Sequence, residues 1–124
     1  MKSIFYIVIL GVLLGCSSDE GVELREARLI DKLAAEIYDM VSNAECTDTS
    51  GCDYIAFGSK PCGGPWGYLV YSTSIDVQLL KYKVGLFNQL QREQNRRSGA
   101  VSDCAIVNPP SALICEDGVC RAAD

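Results

Sequence analysis

The sequence predicts an α+β fold in which two helices pack on a small antiparallel sheet, stapled by disulfides. Three observations carry this expectation. Apolar residues recur at three-and-four spacing in two separate stretches, 22–41 and 77–97. Short runs rich in β-formers, bounded by Gly, Pro and Asp, lie between and after them. Six of the seven cysteines fall within residues 46–120, an even set in a chain too small to rely on its core alone.

The first segment stands apart from that domain. Lys2 gives a positive start, Ile4 to Leu14 form an eleven-residue apolar run, and small Gly15 precedes Cys16. A spanning helix needs about 20 apolar residues, so the run reads as a secretory signal. Leu13-Leu14-Gly15-Cys16 resembles the lipobox of bacterial lipoproteins. That resemblance implies a diacylglyceryl thioether on Cys16, cleavage before it, and palmitate-type acylation that holds the chain on a membrane. The expected divisions are a signal peptide over 1–15, a lipidated tether over 16–21 and a single disulfide-rich domain over 22–124. Ser17 after the lipidated cysteine resembles an outer-membrane retention signal, and Asp19-Glu20 resembles the acidic surface-export signals of some lipoproteins. The expected address is the cell envelope, in the outer membrane and surface-exposed.

Without Lys2, ten basic side chains face sixteen acidic ones, a net charge of −6. Repulsion then opposes phosphate backbones and anionic lipid surfaces. Nucleic acid is excluded as a partner, and membrane attachment falls to the acyl chains.

Each element of the domain has its own signal. Leu29, Ile30, Leu33, Ala34, Ile37 and Val41 mark one face of a first helix from Val22 to about Val41, with charges opposite. Tyr54 to Phe57 and Trp66 to Tyr71 suit two strands. Between them, Gly58 to Pro65 holds two prolines and several glycines, the composition of a shaped turn. Ser74 or Asp76 can cap a second helix carrying Val77, Leu80, Val84 and Phe87. Arg92, Arg96 and Arg97 near its end suit the dipole, and Gly99 is placed for a C-cap. Cys104 to Val107 reads as a strand stopped by Asn108-Pro109-Pro110. Leu113 to Glu116 and Val119 to Arg121 flank Asp117-Gly118, a strong hairpin signal.

Cys46, Cys52, Cys62, Cys104, Cys115 and Cys120 permit fifteen pairings, and spacing does not choose among them. A bridge from Cys115 to Cys120 across the hairpin is geometrically allowed. Closing so short a loop restrains the unfolded chain little, so at least one of the two is expected to bond outside the hairpin.

Histidine is absent, which removes the commonest general base, the usual partner of a nucleophilic Ser or Cys, and the favoured zinc nitrogen ligand. The cysteines lack tight paired zinc-ribbon spacing and any Cys-x-x-Cys redox motif. Gly58-Ser59-Lys60 lacks the spacing of a phosphate loop. No enzymatic activity, catalytic residue, metal or cofactor is expected. Binding is expected instead at the turn, where Lys60, Trp66, Tyr68 and Tyr71 surround a segment braced by Pro61 and Cys62. The competing expectation is that Trp66 and the tyrosines simply fill the core.

Lys60-Pro61-Cys62-Gly63-Gly64-Pro65-Trp66-Gly67-Tyr68, Ser102-Asp103-Cys104 and Cys115-Glu116-Asp117-Gly118-Val119-Cys120 resemble a group of uncharacterised small bacterial cysteine-rich lipoproteins. The resemblance covers residues 46–120; it implies an exported disulfide domain and assigns no catalytic residue. The expected function is an envelope binding or interaction module for an envelope or extracellular protein. The alternative is an inhibitor of a secreted peptidase that presents the Lys60-Pro61-Cys62 loop as bait.

Overall fold

The structure, a computed structural model, describes residues 18–123. Cys16 and the expected signal segment lie outside the described residues.

Helix α1 spans Ser18–Ser42, about 37 Å at the helical rise. It buries Ile30, Leu33 and Ile37, three positions on one helical face. It begins within the expected tether, so residues 18–21 are already helical. Glu20 and Glu23 near the start complement the positive end of the helix dipole.

Helix α2 spans Val77–Ser98 and buries Leu80, Val84 and Phe87. Of the two candidate caps it is Asp76 that acts, its carboxylate accepting the Leu79 N–H at 2.9 Å. Gly99 closes the other end at φ 63°, a left-handed conformation that glycine adopts without steric cost. Ion pairs from Lys83 to Glu36 and from Arg97 to Glu26 show the two helices running antiparallel. Among the described residues, no helix is long and apolar enough to cross a membrane.

Strands β1 (Cys52–Phe57) and β2 (Gly67–Ser72) pair antiparallel, with Ile55 opposite Leu69 and Asp53 opposite Tyr71. Alternation sends Ile55, Phe57, Leu69 and Tyr71 toward the helices. Phe57 stacks on Phe87 with ring centroids 4.6 Å apart, and Tyr38 meets Phe57 edge-on. The opposite face carries Tyr54 and Tyr68, packed edge-to-face at 5.6 Å.

The single expected sheet is in fact two, because β3 (Leu113–Glu116) and β4 (Val119–Ala122) form a separate hairpin. Asp117 and Gly118 both adopt positive φ, 51° and 78°, as a two-residue turn matched to strand twist requires. Disulfides join this hairpin to the body: Cys46–Cys115 and Cys52–Cys120, with Cα atoms 6.0 and 5.6 Å apart. Both hairpin cysteines therefore bond outside it, as loop-closure entropy favours. Cys62–Cys104 ties the glycine-rich turn to the tail.

The expected strand over Cys104 to Val107 does not form. Side chains take the backbone groups of Ala105 instead. Ala105 donates its N–H to Asp103 and accepts from Lys60.

Candidate functional site

The turn from Gly58 to Pro65 connects β1 to β2, and helix α2 holds it through side chains rather than through a ladder. Asn88 Oδ1 accepts the Gly58 N–H at 2.8 Å while its Nδ2 donates to the Ala56 carbonyl at 3.1 Å. Gln91 accepts the Ser59 N–H, and Asn95 donates to the Ser59 carbonyl at 2.8 Å. The Ser59 hydroxyl donates to the Asn88 carbonyl. Residues 88, 91 and 95 share one helical face, so a single polar stripe satisfies the turn's buried backbone groups. Gly58 is required at its place: φ is 82°, and a Cβ there would approach Trp66 Cδ1 to 2.8 Å.

Within the turn, the Lys60 N–H donates to Gly64 and the Gly63 N–H donates to Lys60, both at 2.9 Å. Cys62 is fastened twice to the tail, by its disulfide to Cys104 and by its N–H to the Ser102 hydroxyl. Backbone, helix side chains and disulfide together make this turn rigid.

The structure separates the four residues expected to bind. Lys60 is only 5% exposed. Its ammonium lies 2.5 Å from Asp103, donates to the Ala105 carbonyl and sits 5.6 Å from the Trp66 ring centroid. The hydrogen bond from Lys60, reinforced by the Ala105 N–H, holds the Asp103 carboxyl below its ordinary range. This corrects the expectation of a presented lysine: the ammonium is buried and turned toward Asp103, whose own side chain is exposed.

Tyr71 is also corrected. At 1% exposure it belongs to the core, where its hydroxyl donates to Asp53 at 3.2 Å. Burial pushes its phenol above the ordinary value, with the Asp53 charge adding to the effect. Trp66, by contrast, is 50% exposed, and Tyr68 is half-buried on the outer sheet face beside Tyr54. The aromatic surface is therefore Trp66, Tyr68 and Tyr54.

Sequence reasoning missed Asp103 and the Asn88, Gln91 and Asn95 stripe. A signal for the stripe existed, since these amides recur at helical spacing beside the apolar face of Leu80, Val84 and Phe87. For Asp103 there was none, because it lies 43 residues from Lys60 in the chain.

A cleft of about 490 Å³ opens between the turn and the C-terminal half of α2, lined by Pro61, Gly63, Gln89, Arg92, Arg96 and Gly99 among others. The Sγ atoms of Cys46, Cys52 and Cys120 lie within 4.8 Å of one another. In this structure all three are consumed in disulfides and offer no thiolate to a metal.

No protein-family model matches the chain, and neither the curated proteins nor the solved structures contain a significant match.

Proposed function

We propose that the chain is a cell-envelope lipoprotein, anchored through acyl chains on Cys16, whose domain is a rigid binding module for an envelope or extracellular protein. One observation carries the anchor: the six other cysteines are paired among themselves, which leaves Cys16, at the end of an apolar run, as the odd thiol. An exported address also accounts for three disulfides in so small a domain.

Rigidity supports the binding half of the reading. Trp66 and Tyr68 directly follow a turn already fixed by the Cys62–Cys104 bridge and the α2 amides, so aromatics at this place lose little entropy when they meet a partner. Trp66 and Tyr68 are the side-chain types that dominate interface energetics. The burial of Lys60 argues against the peptidase-inhibitor alternative.

Two measurements on one set of variants test the reading. Cells expressing the chain should incorporate labelled palmitate, and Cys16→Ala should abolish incorporation. Immobilised wild-type protein should capture an envelope protein that Tyr68→Ala loses. Label retained by Cys16→Ala overturns the anchor. Capture unaffected by Tyr68→Ala and Trp66→Ala overturns the aromatic face.

A further inference from the structure

Three arginines stand in the last turns of α2, and the structure divides them. Arg97 is consumed in an ion pair with Glu26 of α1. Neither Arg92 nor Arg96 has an ion-pair partner among the described residues; Arg92 makes one long contact, 3.5 Å, to the Ser59 hydroxyl. Both are exposed, and both line the cleft between α2 and the glycine turn.

Their spacing is unfavourable for the helix by itself. Residues four apart lie on one face about 5–6 Å from each other, and like charges there destabilise it. Arg96 and Arg97 lie in the last turn, where cations suit the helix dipole, and Arg92 stands one turn earlier on the face of Arg96. Glu93, the one carboxylate lining the cleft among the described residues, accepts from Gln89 at 3.1 Å and is paired with neither. Lys60 in the opposite wall is already neutralised by Asp103. Two free guanidiniums thus outweigh Glu93 and the roughly half negative charge of the helix C-terminus. In a chain of net charge −5 this is a local reversal of sign.

The shape is equally particular. Gly63, at φ 107°, has no neighbouring atom within 4 Å of where a Cβ would stand, so the turn leaves its side of the cleft open. The volume, about 490 Å³, is that of a small-ligand site rather than a groove for a helix. The walls are braced by the Cys62–Cys104 bridge and by Asn95 on Ser59, so the two guanidinium forks are carried on a fixed frame.

We infer that this cleft binds a carboxylate group, gripped by Arg92 and Arg96 across from the Gly63 turn. The guanidinium fork matches a planar carboxylate with two parallel hydrogen bonds. Glu93 in the same wall opposes a phosphate dianion more strongly than a singly charged carboxylate. The carboxylate can belong to a free small dicarboxylate or to an acidic segment of a protein partner. The inference deepens the binding-module reading and rests on it.

Titration calorimetry of the full chain in non-ionic detergent tests it, with glutarate, a tetraglutamate peptide and inorganic phosphate as probes. Glutarate or the peptide should bind at one site per chain, more weakly as salt is raised. Arg96→Gln and Arg92→Gln should each lower that affinity about tenfold or more, as loss of a charge-assisted pair implies. Lys81→Gln, elsewhere on α2, should leave it unchanged. Comparable affinities for glutarate and peptide indicate a free carboxylate ligand, and a peptide at least about tenfold tighter indicates a protein segment. Both results support the site. Absence of binding by both carboxylate probes, tighter binding of phosphate than of either, or wild-type affinity in both arginine variants overturns it. Both arginines are exposed, so unchanged thermal unfolding midpoints should confirm that the variants fold. Loss of palmitate labelling or of Tyr68-dependent capture alongside intact glutarate binding would overturn the earlier reading alone.

Discussion

Lys60 is a buried cation whose partner sits at the surface, and the arrangement makes its stability sensitive to acid. The Asp103 carboxyl is held below its ordinary value of 3.8 by the Lys60 hydrogen bond. A depressed folded-state value stabilises the fold above the ordinary aspartate range, and that contribution disappears as pH falls through the depressed value. Asp103→Asn should therefore lower the unfolding midpoint at neutral pH, where Lys60 loses its counter-charge. The gap between variant and wild type should narrow as pH drops below 3.8. Thermal melts across pH measure both effects, and a gap independent of pH would show that the pair contributes nothing electrostatic. Gly58 is the second sensitive residue. Because its φ is 82° and Trp66 occupies the space a Cβ needs, Gly58→Ala should destabilise by about 1–3 kcal/mol in urea unfolding.

Helix α2 works on two faces at once. Its apolar face, Leu80, Val84 and Phe87, closes the core against α1 and the β1–β2 sheet. Its amide face does for the turn what a third strand would otherwise do, supplying partners to Ala56, Gly58 and Ser59. Asn88→Leu keeps the branching and the number of side-chain heavy atoms but removes the partner of the Gly58 N–H and of the Ala56 carbonyl. It should cost about 1–3 kcal/mol per buried group left unpaired. Hydrogen exchange at the Gly58 amide should accelerate in that variant while amides in the middle of α1 stay protected. Uniform acceleration across the domain would indicate that α2 and the turn unfold as one unit with α1.

At the scale of the molecule the disulfides replace packing that a chain of this size lacks. The bridges close loops with sequence separations of 69, 68 and 42 residues. Chain entropy assigns each about 4 kcal/mol, with differences under about 0.5 kcal/mol between them. Paired Cys→Ser variants should then be destabilised by similar amounts, except at Cys62 and Cys104. Freeing that bridge also loosens the segment carrying Asp103 and exposes Lys60 to loss of its partner. The Cys62→Ser, Cys104→Ser variant should be the least stable of the three in urea unfolding. Equal losses would mean that the Lys60–Asp103 pair holds without the bridge.

Local signals in the sequence determined both helices, the stop of α2, the β1–β2 strands and the Asp117-Gly118 hairpin, and narrowed the α2 cap to Ser74 or Asp76, because periodicity, capping and turn chemistry are properties of neighbouring residues. The even set of six cysteines is also plain in the sequence, and loop entropy, which depends on separation along the chain, favoured at least one link out of the hairpin. Tertiary structure alone decided which cysteine meets which, that the strands divide into two sheets, and that residues 104–107 form no strand. A strand needs an edge to pair with, and the sequence does not say where the edges lie. The same limit governed the site. Lys60 and Tyr71 carry the residue types of a binding surface, but Asp103 and Asp53 turn them inward. Trp66 is left on the surface, and Arg92 and Arg96 line the cleft without ion-pair partners among the described residues. Exposure and pairing are settled by contacts between residues distant in sequence, which is why the site took its form only in three dimensions.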